Sequence, residues 1–269
     1  MLPYPPIDPV ALTLGPVQIH WYGLMYLLSF ACIWRLFLWR THQPWSPVQP
    51  AQVEDMIFNG ALGVIIGGRL GYVLFYQFDR FLADPLWALR IWEGGMAFHG
   101  GLLGVLAALY WTARKNRLSF LRLGDFIAPA MPVGLFFGRL GNFIGQELWG
   151  RPTEGWWAMV FPHDPQQLPR HPSQLYEAAL EGLVLFAGLW WLSRKQRPVG
   201  LLSGLFLLGY GGFRFAVEFA REPDMHLADS LLFGWLTRGQ LLSTPMIVLG
   251  IALLVWALRR STPATAPKT

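Results

Sequence analysis

Two arginines in apolar runs, each with polar neighbours at helical intervals, are the strongest chemical signal in the chain. Residues 138–151 read GRLGNFIGQELWGR, with Arg139 and Asn142 three apart, Glu147 beyond them and Gly150 near the end. Residues 209–224 read GYGGFRFAVEFAREPD, in which Tyr210, Arg214 and Glu218 follow at i, i+4 and Arg221 stands seven beyond Arg214. On a helix these spacings put each set on one side. A guanidinium is planar, stays charged at any working pH and donates parallel hydrogen bonds. Two of them in an apolar setting form a fork for an anion, most naturally a phosphate. GGMAFHGG at 94–101 adds His99 between glycines, and HPSQLYEAALEG at 171–182 adds Glu177 and Glu181.

The elements that must position these groups are membrane helices. Hydrophobic residues make up 54% of the 269-residue chain and charged residues 14%, and mean hydropathy is +0.36, too apolar for a soluble domain of this length. Seven segments approach the roughly 20 apolar residues a span needs: 18–39, 56–78, 95–113, 124–145, 174–192, 201–220 and 240–258. Arg114, Lys115, Arg117 and Arg122 fill one loop, Arg194, Lys195 and Arg197 another, and Arg259 and Arg260 follow the last span. These groups alternate as cytoplasmic loops should, which predicts an all-α protein with its N-terminus outside and its C-terminus in the cytoplasm. Residues 1–258 are expected to form a single membrane domain and 259–269 a disordered tail. The first residues hold no Lys or Arg, so the first apolar run is expected to stay as an anchor.

The formal charge of +5 is accounted for by this loop pattern and does not call for nucleic acid. Cys32 stands alone in an apolar run and reads as a small hydrophobe. Gly60, Gly63, Gly67 and Gly71, and again Gly134, Gly138, Gly141 and Gly145, recur at helical spacing. Close helix packing is expected of both stripes, with a lipid-sized opening as the other reading.

With this topology the polar residues of five helices reach the outer half of the membrane. His20, Tyr22 and His99 enter from outside; Arg139 and Asn142 lie toward the outer end of their span; Glu177 and Glu181 open another; Tyr210, Arg214, Glu218 and Arg221 close the sixth. Buried arginines must find acceptors or water. Blander readings stay open. Arg214 and Glu218 could be only an intrahelical pair, Arg139 could reach toward headgroups, and Arg69 divides between structural bridging and a site role. Arg35 reads as snorkelling, Asp125 as an N-cap of the fourth span, and His42, His163 and His226 as loop residues. No Walker A, H-E-x-x-H, G-x-S-x-G or cysteine pair is present, and no ligand set suggests a metal or cofactor.

The chain resembles the bacterial prolipoprotein diacylglyceryl transferases through HWYGLMY at 20–26, GGRLGYVLFY at 67–76, GGMAFHGG, GRLGNFIGQELWGR, HPSQLYE at 171–177 and GYGGFRFAVEFAREPD. The family signature runs roughly G-R-x-G-N-F-x-N-x-E-x-x-G, and Gly145 stands here where asparagine is usual. The resemblance implies a transferase of the bacterial inner membrane, with its site toward the periplasmic leaflet. It would move the diacylglyceryl group of phosphatidylglycerol to the lipobox cysteine of a prolipoprotein signal peptide, forming a thioether and releasing glycerol 1-phosphate. Arg139 and Arg214 would stabilise the departing phosphate, and His99 would act as base or orient the headgroup. Tyr22, Asn142, Glu147, Gly150, Tyr210, Glu218 and Arg221 would shape the headgroup site. Within loop 151–170, Trp156, Trp157, Met159 and Phe161 are expected on the membrane surface or against the signal peptide. An anion transporter and a non-catalytic lipoprotein chaperone are the rival readings; a transporter should show paired halves, and no repeat is visible.

Overall fold

The structure is a computed structural model that describes residues 1–222 and 237–260. Asp224, His226 and the tail from 261 onward lie outside the described residues. Helix dominates. In chain order the helices are α1 (Trp21–Thr41), α2 (Pro50–Tyr76), α3 (Phe78–Ala83), α4 (Phe98–Lys115), α5 (Phe120–Ile127) and α6 (Met131–Ile144). Then α7 (Ser173–Glu177) continues through a π-helical turn, Ala178–Val184, into α8 (Leu185–Leu192), followed by α9 (Leu201–Val217) and α10 (Arg238–Arg260). Four of these stretches, Trp21–Thr41, Pro50–Tyr76, Ser173–Leu192 and Arg238–Arg260, are long and apolar enough to cross a membrane, or five if α5 and α6 form one broken span. Helix α9 is apolar but only 17 residues long. Helix α4 carries His99 at one end and Arg114 and Lys115 at the other, and falls short.

Three local expectations are corrected. Residues expected to open the first span instead form a hairpin, β1 (Val10–Leu14) with β2 (Val17–His20), turned at Gly15, whose φ of +59° suits glycine. His20 therefore pairs across the ladder with Val10, and the helix starts at Trp21. The fourth span is broken at 128–130, because Pro129 lacks an N–H and restricts the residue before it. Asp125 then lies inside α5 rather than at an N-cap; its carbonyl accepts from Arg40 Nη2 at 3.3 Å, and that of Phe126 from Arg40 Nε at 3.0 Å.

The described residues group into two compact units, Phe37–Phe126 and the remainder. In the unit Phe37–Phe126, α2 packs on α4 through facing glycines. A Cβ on Gly63 would lie 2.5 Å from the Gly104 carbonyl oxygen, one on Gly67 would collide with the Gly100 oxygen and one on Gly71 would lie 2.8 Å from Gly100 Cα, so close packing holds at these three positions, whereas a Cβ on Gly60 would meet nothing within 4 Å. Arg69 is buried beneath residues 87–95. Its Nε donates to Ala88 O, Nη1 to Gly94 O and Gly95 O, and Nη2 to Trp87 O and Arg90 O, while its guanidinium lies 4.4 Å from the Trp87 ring centroid. The structural reading of Arg69 therefore stands.

In the other unit, α6 packs on the π turn so tightly that a Cβ on Gly182 would sit 2.7 Å from Phe136 Cβ. The second glycine stripe does not repeat the first. A Cβ on Gly138 would meet nothing within 4 Å, Gly134 faces only Ile33, and Gly141 is covered by the Tyr22 ring. Residues 145–172 fold over the end of α6. β3 (Met159–Val160) pairs with β4 (Pro169–Arg170), and buried Arg170 donates from Nε to Asp164 Oδ2 at 2.6 Å. Burial would raise the Asp164 carboxyl, but Arg170 and the amides of Gln166 and Leu168 outweigh it and hold it below the ordinary carboxylate range. Met159 and Phe161 are not on the surface: they form a core with Phe143, joined by Tyr4, Trp149 and Leu175. Only Trp156 and Trp157 are exposed. The N-terminal residues belong to this layer, with Leu2 N–H donating to Ala158 O and Tyr4 OH to the last carbonyls of α6, Phe143 O and Ile144 O.

Candidate active site

The arginines singled out in the sequence converge on one carboxylate. Glu177, at the end of α7, is fully buried. Arg139 of α6 approaches its Oε2 through Nε at 3.1 Å; Arg214 of α9 approaches its Oε1 through Nη1 at 3.3 Å, and Arg221 does so through Nη1 at 3.1 Å. Arg214 Nη1 also meets Glu218 Oε2 at 2.6 Å, so the intrahelical pair exists but is one part of a larger network. Glu181, one turn beyond Glu177 and also fully buried, faces Arg139 Nη2 at 3.7 Å. The π turn that begins at Ala178 carries Glu181 on the same side as Glu177.

The pairing leaves donors over. A guanidinium carries five N–H groups. Among the described residues Nη1 of Arg139 and Nε and Nη2 of Arg214 have no partner, and the two side chains keep 17% and 15% of their surface exposed. They are neither separated nor closed off. Each carboxylate fixes one edge of a guanidinium and the other edge remains able to take a guest anion.

Surrounding residues hold this arrangement. Glu218, just past the end of α9, accepts from Thr237 Oγ1 at 2.9 Å; Thr237 in turn caps α10, accepting from Gln240 N–H while the Gln240 side chain accepts from Thr237 N–H. Arg221 is anchored through its backbone, bridged to Gly150, and its carbonyl accepts from Arg151 Nε at 2.9 Å. Gly150 has no room for a side chain, since a Cβ there would lie 2.6 Å from His171 Cβ. Tyr22 packs on Gly141, two residues after Arg139, and its hydroxyl lies 3.1 Å from that of Tyr26. Tyr210 stacks on Phe206 one turn before Arg214. Asn142 is buried and its side chain makes no hydrogen bond among the described residues, whereas Glu147 is exposed.

Arg139, Arg214, Glu218 and Arg221 are thus brought into one network. His99 belongs to the unit Phe37–Phe126, in the first turn of α4, exposed and with its ring edge-on to Phe98 at 5.6 Å. Two residues were placed at the right depth by the sequence but given no part in the site: Glu177 and Glu181. Their i, i+4 spacing and double acidity in an apolar helix were the available signal. The buried amide of Gln174, one turn before Ala178, was missed as well; it donates to Glu147 O at 2.6 Å and so ties α7 to the strand of chain leaving α6.

The apolar helices and the half-open cluster of guanidiniums and carboxylates they carry are those of a mostly helical membrane protein. The chain belongs to the prolipoprotein diacylglyceryl transferase family, whose pattern it matches over residues 9–256. It is 58% identical over 261 residues to the phosphatidylglycerol–prolipoprotein diacylglyceryl transferase of Methylococcus capsulatus, covering 97% of this chain and 99% of that one. The enzymes of the same name from Azotobacter vinelandii and Pseudoalteromonas atlantica are 57% and 56% identical, over 97% and 96% of this chain and 98% and 92% of theirs.

Proposed function

We propose that this chain transfers the diacylglyceryl group of phosphatidylglycerol to the lipobox cysteine of exported prolipoproteins, the first step of lipoprotein maturation, and that Arg139 and Arg214 hold the lipid phosphate. Family membership across nearly the whole chain supports the reaction. The observation that supports the site is the sharing of Glu177 by two guanidiniums that each keep unpaired N–H groups.

The reaction joins the cysteine sulfur to the terminal glyceryl carbon of the lipid, breaks the bond from that carbon to the phosphate ester oxygen, and releases glycerol 1-phosphate. The substrate thiol is the nucleophile, so the protein need supply none of its own. Negative charge grows on the phosphate as the bond breaks. Donors already fixed by Glu177 and Glu218 meet that charge without reorganising, which is how a preorganised site lowers a barrier. His99, exposed in the first turn of α4, takes the thiol proton. Tyr22, Asn142, Glu147, Gly150, Tyr210, Glu218 and Arg221 shape the headgroup site, with the Asn142 amide as a donor not committed elsewhere among the described residues.

The site opens toward the periplasmic leaflet of the inner membrane, in a single seven-span domain of residues 1–258 with the N-terminus outside. The basic loops support this orientation. So does the hydrogen bonding of Leu2 to Ala158 and of Tyr4 to the end of α6, the helix that carries Arg139. Purified protein given phosphatidylglycerol labelled in its acyl chains and a lipobox peptide should yield labelled peptide and free glycerol phosphate. Neither product would appear if the chain were a transporter or chaperone.

A further inference from the structure

Among the described residues of the cluster, three guanidiniums, Arg139, Arg214 and Arg221, face three carboxylates, Glu177, Glu181 and Glu218. With all of them ionised there is no net charge. The guest assigned above is a phosphodiester, which carries one negative charge. Adding it to these six groups, largely buried among apolar helices, leaves one charge uncompensated, which is costly in such surroundings. A proton on one carboxylate would restore the balance, leaving one net positive charge to meet one negative guest.

The three carboxylates are not equivalent as proton acceptors. Glu177 is gripped by Arg139, Arg214 and Arg221. Glu218 accepts from Thr237 and pairs with Arg214 at 2.6 Å. Glu181 is fully buried, neither of its oxygens has a hydrogen-bond partner among the described residues, and its only ion-pair contact there is Arg139 Nη2 at 3.7 Å. The groups that face it are Arg139 from α6, Glu177 from the preceding turn, Tyr210 and Arg214 from α9, and Arg221 beyond α9. A phosphate drawing on Arg139 weakens the closest of the cations that favour ionised Glu181, and adds a second negative charge nearby.

We propose that Glu181 is a proton-coupled gate for the anionic lipid, a neutral acid when the phosphodiester occupies Arg139 and Arg214 and an ionised partner of Arg139 when the pocket is empty. The inference rests on the lipid-phosphate reading of the site. Lipid binding then takes up a proton wherever the empty enzyme holds Glu181 ionised, and affinity falls as pH rises through that range.

The test is the KM for phosphatidylglycerol of the full-length enzyme in phosphorus-free detergent from about pH 6 to about pH 9, a range in which the phosphodiester itself does not titrate. Wild type should show KM rising up to tenfold per pH unit in the upper part of that range. Glu181→Gln, which mimics the neutral acid, should show a flat and low KM. Parallel profiles in the two proteins, or a flat wild-type profile, would overturn the gate while transfer itself stands. Absence of glycerol phosphate release at every pH would instead remove the underlying reading, and the gate with it. Wild type also offers a check that needs no variant. Infrared difference spectra on adding phosphatidylglycerol at the alkaline end, without peptide, should show a protonated-carboxyl band that shifts with carbon-13 glutamate labelling. Its absence would overturn the proposal.

Discussion

Arg69 and Arg139 are both arginines in apolar helices, yet they are satisfied in opposite ways. Arg69 spends its donors on five backbone carbonyls between Trp87 and Gly95 and lays its face on the Trp87 indole. No donor is left, and the cation serves as a rivet for the chain between α2 and α4. Arg139 and Arg214 are held along one edge by carboxylates and keep donors unpaired at the other. Burial alone therefore does not distinguish these arginines; what remains unspent after the protein's own acceptors are counted does.

The largest effect that would break this comparison is on turnover. Arg139→Ala and Arg214→Ala should each lower the transfer rate per folded molecule by about 100-fold to 1000-fold, as loss of a preorganised donor does elsewhere. Arg69→Ala should instead lose about 3 kcal/mol of stability, as hydrogen bonds to a buried cation are removed, with the surviving folded protein still transferring. Rates normalised to monodisperse protein, with melting temperature measured alongside, separate the two. Glu177→Gln sharpens the comparison, because it leaves three guanidiniums around a neutral amide. Breaking a buried pair in this way typically costs about 3–5 kcal/mol, so a lowered melting temperature is expected together with a lower transfer rate, as Arg139 and Arg214 lose their common anchor.

His99→Gln tests whether the histidine of the other unit takes the thiol proton. A lost base removes the acidic limb of the profile of transfer rate against pH, whereas a lost orienting residue lowers the plateau and keeps the limb. The smallest effects contrast the two glycine stripes. Gly67→Ala should cost about 1–3 kcal/mol through overpacking against the Gly100 carbonyl. Gly138→Ala, whose new methyl group meets nothing within 4 Å, should stay within about 0.5 kcal/mol of wild type in thermal unfolding.

What the sequence disclosed follows the same division. Periodicity within one helix was legible, so the joint placement of Tyr210, Arg214 and Glu218, and of Arg139 with Asn142, could be anticipated from spacing. Pairing between helices was not. That Glu177 would serve three arginines depends on how α6, α7 and α9 pack, and no local pattern encodes it. Arg69 was ambiguous for a related reason: its partners are main-chain oxygens, which leave no trace in side-chain identity. Phe161 and Met159 looked interfacial because aromatic residues cluster in loop 151–170, but the buried Arg170–Asp164 pair folds that loop into a core of its own. The seven apolar runs were visible in composition, while the break at Pro129 and the hairpin around Gly15 were signalled by single residues that the surrounding hydropathy outweighed.

On the proposed reading, the unspent donors of Arg139 and Arg214 touch the lipid phosphate. Magnetic resonance can measure this directly, as dephasing of nitrogen-15 arginine side chains by phosphorus-31 with one equivalent of phosphatidylglycerol as the sole phosphorus source. Short-range dephasing is expected, lost in Arg139→Gln and in Arg214→Gln and kept in Arg69→Gln. A signal unchanged in both of the first two variants would contradict it.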